Sequence, residues 1–276
     1  MLVVELNDLK VLDTLADGFL IGVEFISSEC FKQYKLEQTI EIINKIHERG
    51  KLAFIDATQI FHDQDLEQVK NILIHLKDAD YILYNDLALI DLIDLEKRFY
   101  YSVTYITNKQ DFSIVEKENA YTLLSPTLSF EELVSFGELD KAFLIGFGTF
   151  EIFHSRRPLI SNYMKYRNTE YELANYQVIE EFRSEKYPIV ENNGTKIYLN
   201  DYYYLGKELE FLNKNIILKT FDLKVEDVFR IVSIYSKALK TKDFIVLEDL
   251  EKLPLKLHKG LLLENSILKK EVKARG

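Results

Sequence analysis

Four consecutive residues place an imidazole, a hydroxyl and two guanidinium groups directly after an apolar stretch: His154, Ser155, Arg156 and Arg157. Unpaired guanidinium groups are costly to desolvate, so a run of this kind is not expected inside a structural strand. Arginine can donate to both oxygens of a carboxylate or phosphate, and the pair therefore predicts an anion-binding site. Imidazole is the side chain most often used as a general acid or base, and we take His154 and Arg157 as candidate catalytic residues.

Each of these residues also has a structural interpretation. A paired arginine is commonly found in an ion pair, here with Glu24 or Glu151 as the available carboxylates. A lone histidine is more often packed or hydrogen-bonded than catalytic. A structural ion pair would make an Arg157→Ala substitution strongly destabilising, whereas an anion-binding arginine would lose function at nearly unchanged stability.

Apolar runs rich in β-branched and aromatic residues alternate along the chain with amphipathic stretches, which is typical of βα units and a parallel sheet. Eight runs are predicted as strands: Leu2–Leu6, Phe19–Phe25, Leu52–Asp56, Tyr81–Tyr84, Tyr101–Ile106, Tyr121–Leu124, Ala142–Phe147 and Ile216–Phe221. Eight strands with helical connections predict an α/β fold, a (β/α)8 TIM-like barrel, formed by one domain over residues 1–276.

Helices are predicted over Leu36–Arg49, Leu66–Leu76 and Val225–Leu239, where the apolar residues recur with helical spacing. Ser129 and Glu132 have the spacing of a capping box and predict the start of the helix before the seventh strand. Asp222 is expected to cap the helix that follows the eighth strand.

About fifty residues, 165–214, separate the seventh predicted strand from the eighth, which is far longer than an ordinary connection. Asn192, Asn193 and Gly194 predict a hairpin turn between strands over Tyr187–Val190 and Thr195–Leu199. We therefore expect a small β-containing insertion that covers the barrel mouth.

Chemistry in a (β/α)8 barrel takes place at the carboxyl ends of the strands, so polar residues at those ends are candidates. Glu24, Asp56 and Asn85 lie there and are taken as candidate substrate-binding residues. Each can equally cap a helix or shape a turn. Asp56 and Asp86 would form a carboxylate dyad if the two strand ends faced each other.

The segment that contains the arginines also resembles a known motif. In the U32 peptidase family, described as collagenase-like proteases, a strand with a Gly-x-x-Cys element leads into Ser-Gly-Arg-Cys-x-x-Ser-Asn-Tyr. The residues that match this run are Ser155, Arg157, Ser161, Asn162 and Tyr163. The departures are Glu151 and Pro158 at the two cysteines and Arg156 at the glycine. The arginine pair and the resemblance together make Ser155, Arg156, Arg157, Ser161, Asn162 and Tyr163 the candidate substrate-binding residues of this segment.

The resemblance implies either a role in hydroxylation or the hydrolysis of peptides. Relatives of the family act in RNA or quinone hydroxylation, including the prephenate-dependent 5-hydroxylation of wobble uridine in tRNA, and hold a four-iron cluster on four cysteines. This chain has one cysteine, Cys30, so we expect no cluster in it and interpret it as a subunit that works with a longer, cysteine-bearing homologue. On this interpretation prephenate is a co-substrate of the pathway and tRNA is bound through the complex. The alternatives are a peptidase-like hydrolase and a binding or scaffold protein without catalysis.

Composition excludes several other classes. The net charge of −10 argues against nonspecific binding of nucleic acid over the whole surface. A single cysteine, the absence of a long apolar run and an acidic amino-terminal segment predict a cytoplasmic protein that is not bound to a membrane. His47 and His75 do not stand in the spacing of a zinc motif, and no metal site is predicted.

Overall fold

The computed structural model describes residues 1–137, 139–149, 151–170, 176–179, 181, 186–191, 194–212 and 214–264. Eight parallel strands, numbered along the chain with the others, form a closed barrel: β1 (Leu2–Glu5), β2 (Gly18–Val23), β4 (Leu52–Ala57), β5 (Tyr81–Tyr84), β6 (Arg98–Tyr100), β7 (Tyr121–Leu123), β8 (Ala142–Gly148) and β14 (Ile216–Leu218). The barrel closes because β14 pairs with both β1 and β8. The predicted (β/α)8 barrel is confirmed.

One barrel strand was predicted in the wrong place, and the last one was predicted too long, since β14 ends at Leu218 and not at Phe221. A strand was predicted over Tyr101–Ile106, whereas the observed β6 covers Arg98–Tyr100 and pairs with β5. The strand begins at a charged residue, Arg98. This residue is half-buried and donates from Nε to the main-chain oxygen of Ile93, 3.0 Å away. Tyr101 consequently lies at the carboxyl end of the strand, where the chain turns toward the barrel mouth.

Helices connect most of the strands: α1 (Leu36–His47), α2 (Leu66–His75), α3 (Lys109–Glu116), α4 (Phe130–Phe136), α5 (Leu159–Tyr166) and α6 (Val225–Thr241). The predicted capping box of α4 is confirmed, because the main-chain nitrogen of Glu132 donates to Ser129 Oγ and that of Ser129 donates to Glu132 Oε2. The predicted cap at Asp222 is wrong. Lys224 occupies the N-cap position of α6, and Asp222 adopts a φ of 58° in the preceding turn.

A second sheet lies outside the barrel and is here called the accessory sheet. It is antiparallel and has the order β10 (Tyr176–Ile179), β11 (Lys186–Glu191), β12 (Thr195–Tyr198) and β9 (Glu151–Ser155). The predicted hairpin is thus observed as β11 and β12, while its turn residues 192 and 193 lie outside the described residues. Short strands extend the barrel sheet: β3 (Gln33–Tyr34) beside β2, β13 (Tyr202–Tyr204) beside β8 and β15 (Leu257–His258) beside β13.

Aromatic rings fill the barrel interior. Phe143 of β8 lies 5.0 Å from Phe99 and 5.1 Å from Tyr121, measured between ring centroids, and 6.4 Å from Phe54 of β4. Because β4 and β8 are not neighbours in the sheet, the contact between Phe54 and Phe143 crosses the inside of the barrel. The interior is a packed core, and space for a ligand lies at its end. Over the described ranges, no helix has the length and apolar character needed to cross a membrane.

Candidate functional site at the barrel mouth

A cavity of about 580 Å³ lies between the carboxyl ends of the barrel strands and the accessory sheet. Tyr101 and Lys219, which follow β6 and β14, line it from the barrel, and Ile152 and Tyr198 line it from the accessory sheet. Its charged lining residues are Glu29, Glu151 and Lys219. The cavity is therefore at the end of the barrel where chemistry is expected, and it combines apolar walls with buried charge.

Lys219 is a fixed positive charge in this cavity. Its side chain is 6 % exposed, and Nζ donates to the main-chain oxygen of Glu29 at 2.8 Å and lies 3.4 Å from Glu29 Oε2. Burial alone would lower the pKa of Lys219, but the carboxylates of Glu5 and Glu29 outweigh it, and the pKa is raised well above its usual value. Burial also raises the pKa of Tyr101, so this phenol is neutral at physiological pH and the carboxylates hold the ammonium charged.

Lys196 joins two carboxylates beside the cavity. Its Nζ lies 2.8 Å from Glu29 Oε1 and 2.7 Å from Glu151 Oε2, and all three side chains are less than 15 % exposed. The result is a continuous chain of alternating charge, Lys219, Glu29, Lys196 and Glu151, along the cavity wall. Ion pairs at this depth cost desolvation energy, so their retention beside a cavity favours a functional role.

The two carboxylates of this chain differ in their proton affinity. Burial raises the pKa of Glu29, but two ammonium groups, Lys196 and Lys219, overcome it and hold the pKa at about 2. Glu151 shares one ammonium with Glu29, and burial together with the nearby charge of Glu29 raises its pKa above the usual value. Glu29 is thus ionised at all ordinary pH values, whereas Glu151 accepts a proton more readily.

Two buried carboxylates beneath the cavity fix the loop that carries Glu29. Asp56, at the end of β4, is fully buried, and its Oδ2 accepts the main-chain N–H groups of Glu29 at 2.9 Å and Cys30 at 2.7 Å. Glu5, at the end of β1, accepts the N–H groups of Phe31 and Thr220 at 3.2 and 2.9 Å. The strand ends therefore set the position of Glu29 and of the chain next to Lys219.

Gly148 allows this close approach at the last position of β8. It adopts a φ of 131°, and a Cβ atom there would lie 2.4 Å from Cβ and 2.8 Å from the main-chain oxygen of Lys219. Only glycine fits without displacing Lys219.

The arginine pair lies away from this cavity. It was placed by sequence at the end of a barrel strand, which is wrong, because β8 ends at Gly148 and the arginines follow β9 of the accessory sheet. Arg156 and Arg157 are exposed, and Arg156 Nη2 lies 3.0 Å from Nε2 of His62. Within the described ranges neither guanidinium pairs with a carboxylate. An anion-binding role for the pair stays a prediction.

The other residues of the motif lie beside the arginines. His154 is exposed on β9, and its Nδ1 lies 3.7 Å from Glu151 Oε1. Ser155 pairs with Thr195 of β12, and Ser161 donates from Oγ to Glu191, whose carboxylate also accepts the N–H of Ser161 at the start of α5. Asn162 and Tyr163 are exposed on the same helix. Ser161 thus serves the start of α5, and none of these residues lines the cavity.

The predicted strand-end residues are spread over different environments. Glu24 is exposed and Asn85 is half-buried, and neither lines the cavity. Asp56 is close to the site but has both oxygens occupied, since Oδ1 accepts from the nitrogen and hydroxyl of Thr58 at 3.0 and 2.6 Å. The carboxylate of Asp86 accepts the N–H of Ala88 at the start of a short 3-10 helix and the N–H of Phe61. Substrate binding by these residues remains a prediction.

Sequence reasoning missed the residues that form the charged chain. Lys219 could have been found, because a lysine directly after the apolar run of β14 stands at a barrel strand end. Glu29 and Lys196 gave no local signal, since their ion pair joins residues 167 positions apart in the chain. Glu151 was noted as a possible ion-pair partner of the arginines and as the residue that replaces a cysteine of the family motif, but not as part of a buried charged chain.

The residues present do not fit a four-iron cluster. Such a cluster needs four thiolates, and the chain has one, Cys30, which is buried. At the first motif position, the carboxylate of Glu151 is ion-paired with Lys196. The described residues also contain no group of three histidine, cysteine, aspartate or glutamate side chains arranged to hold a metal ion.

Comparisons with known proteins agree with the fold. The model of the family described as Peptidase family U32 matches residues 8–253. A solved structure titled "The Structure of the U32 Peptidase Mk0906" is similar with a TM-score of 0.52 and 12 % sequence identity, over 79 % of this chain and 91 % of that one. No curated protein sequence matches. Because the family model spans most of the sequence, the chain belongs to peptidase family U32.

Proposed function

We propose that this chain is a subunit of an enzyme that hydroxylates wobble uridine of tRNA at carbon 5 in the cytoplasm, and that its barrel-mouth cavity binds a small organic anion used by that enzyme. The observation that carries the ligand site is the buried ammonium of Lys219 in the wall of a cavity of about 580 Å³. An ammonium group that faces a largely apolar cavity favours an organic anion with an apolar body. Prephenate, a dicarboxylate built on a cyclohexadiene ring, is a candidate.

The residues of this chain indicate which subunit would supply the redox centre and which would contact tRNA. This chain lacks the cysteines of a cluster, so a longer, cysteine-bearing member of the family would supply the redox centre. The exposed guanidinium groups of Arg156 and Arg157 have no carboxylate partner in the described part of the chain and are available to a phosphate of tRNA. Contact with RNA would then be local, as the overall charge of −10 requires.

The experiment is mass spectrometry of wobble-uridine nucleosides in tRNA from cells that lack the gene. Complementation would use the wild type, Lys219→Met and Arg157→Ala, with Lys207→Met as the matched control because Lys207 forms only an exposed pair with Glu248. We expect 5-hydroxyuridine derivatives to be lost in the deletion strain and restored by the wild type and the control alone. Unchanged nucleosides in the deletion strain would refute the proposal.

A second candidate is a peptidase-like hydrolase, and one observation favours it. β9 is the last strand of the accessory sheet, and Ile152 on this strand is 49 % exposed and lines the cavity. An extended peptide could add to this edge and place a side chain in the cavity. Cleavage of peptides by the isolated chain, abolished by Glu151→Gln, would support this function over the tRNA pathway.

A further inference from the structure

The positive charges beside the cavity are already balanced by carboxylates, so an added negative charge would have no counter-charge. Two ammonium groups, Lys196 and Lys219, face the carboxylates of Glu29 and Glu151. Glu5 and Asp56 are also buried below Lys219, and the cavity-lining phenols Tyr101 and Tyr198 are neutral because burial raises their pKa values. Carboxylates thus equal or outnumber ammonium groups before any ligand enters.

The ammonium group of Lys219 nevertheless has one hydrogen available for donation to a ligand. An ammonium group carries three hydrogens, and the described contacts of Lys219 occupy two of them, with the main-chain oxygen and Oε2 of Glu29. Since Lys219 lines the cavity, the third can be donated to an anionic ligand. Such a ligand needs a compensating positive charge, and the smallest is a proton.

Glu151 is the group best placed to take that proton. Glu29 is held ionised by two ammonium groups, and Asp56 accepts four hydrogen bonds from protein groups. Glu5 does not line the cavity and is bonded by two main-chain N–H groups. Glu151 lines the cavity and shares a single ammonium, Lys196.

Among the residues that the structure describes, the other ion-pair partner of Glu151 is His154 on the same strand. Its Nδ1 lies 3.7 Å from Glu151 Oε1, and the imidazole is exposed on the accessory sheet. An imidazole can also accept a proton, so His154 is the competing proton acceptor. Any test must distinguish the imidazole from the carboxylate.

Resting on the proposed function of the cavity, we propose that an organic anion binds beside Lys219 together with one proton, which Glu151 takes up. No bond of the ligand is formed or broken: the anion keeps its charge, and the Glu151 carboxylate becomes a carboxylic acid. Anion binding raises the pKa of Glu151 further, so affinity is highest at low pH. It falls as the pH rises through the range between the free and bound pKa values, by up to about tenfold per pH unit.

Isothermal titration calorimetry with sodium benzoate tests the proposal on the full chain. Titrations in two buffers that differ in heat of ionisation, MES and Bis-Tris, give the number of protons taken up. We expect uptake approaching about one proton per benzoate and weaker binding as the pH rises from 6 to 8. Benzamide, the neutral analogue, should bind more weakly and without proton uptake.

Substitutions at Glu151 and His154 identify the group that takes up the proton. Glu151→Gln should bind benzoate at least as tightly at neutral pH, with no proton uptake and no dependence of affinity on pH, because an amide is already neutral. Glu248→Gln is the matched control at an exposed pair and should behave as the wild type. If His154→Gln removes the uptake and Glu151→Gln does not, the imidazole takes the proton and the proposal is wrong.

The outcomes separate this inference from the proposed function. Benzoate binding that depends on Lys219 but releases or takes up no proton would keep the anion site and overturn the coupling. Absence of benzoate binding, or equal binding of benzylamine, would overturn both the anion site and the coupling. Proton uptake and the preference for benzoate over benzamide and benzylamine are measured on the wild type, so the test of the coupling does not depend on the folding of a variant.

Discussion

Lys219 donates a hydrogen bond of 2.8 Å to the main-chain oxygen of Glu29, a residue 190 positions earlier in the chain. The contact joins the loop after the second barrel strand to the end of the last one, on either side of β1 in the sheet. It fixes a carboxylate and an ammonium in one cavity wall, and the charged chain through Lys196 begins from it.

Lys219→Met should reduce the free energy of unfolding by about 3 kcal/mol, because it leaves a buried carboxylate with one of its two ammonium partners. Urea unfolding followed by circular dichroism measures the change. Lys207→Met removes an ammonium from an exposed pair and should cost less than about 1 kcal/mol. Equal stability of the two variants would show that the Lys219 pair contributes nothing.

Glu29→Gln should make the free energy of unfolding less dependent on pH in the acid range. The pKa of Glu29 is about 2 in the folded chain against 4.5 as its ordinary value, so its contribution is complete above about 4.5 and is lost as the pH falls toward 2. The free energy of unfolding, measured between pH 2 and 5, should fall less steeply with decreasing pH in the variant. The difference in slope corresponds to the uptake of up to about one proton on unfolding. Glu248→Gln, at an exposed carboxylate, should keep the wild-type slope.

Gly148→Ala should destabilise the chain by about 3 kcal/mol, since the new methyl group would overlap Lys219 and the φ of 131° is strained for alanine. Gly50→Ala is the control: its φ is +65° and a Cβ atom there has no neighbour within 4 Å, so only conformational strain of about 1 kcal/mol is expected. Thermal unfolding of both variants gives the comparison. A cost at Gly148 no greater than at Gly50 would contradict the steric role.

Arg157→Ala should leave the free energy of unfolding within about 0.5 kcal/mol of the wild type, because the guanidinium is exposed and has no carboxylate partner among the described residues. Urea unfolding of the variant is the measurement. A loss of about 3 kcal/mol would instead indicate the structural ion pair considered from the sequence. Unchanged stability combined with lost tRNA modification would favour anion recognition.

The barrel could be predicted from the sequence because its strands are buried on both faces and read as continuous apolar runs. β5 was predicted with the bounds that are observed, and β6 was missed because it begins at the charged Arg98. The pairing of β14 with β8 and β1 was implied by the barrel itself. Local patterns of this kind determine secondary structure well.

The charged chain could not be predicted in the same way. Lys196 lies on an accessory strand and Glu29 in a loop, and nothing in their local sequence distinguishes them from exposed residues of the same types. Their burial depends on the position of the accessory sheet over the barrel mouth. The conspicuous residues, Arg156 and Arg157, are exposed because a separate strand, β9, carries the chain away from the barrel before they occur.

The pairing of β1 with β14 has a consequence for synthesis of the chain. Leu2 to Val4 lie beside Ile216 to Leu218, so the first strand lacks this partner until residues 216–218 have been made. A nascent barrel of seven strands exposes two unpaired edges, which are sites of aggregation. Closure must therefore follow translation of β14, and the same late event completes the charged wall, because Lys219 is the next residue to emerge.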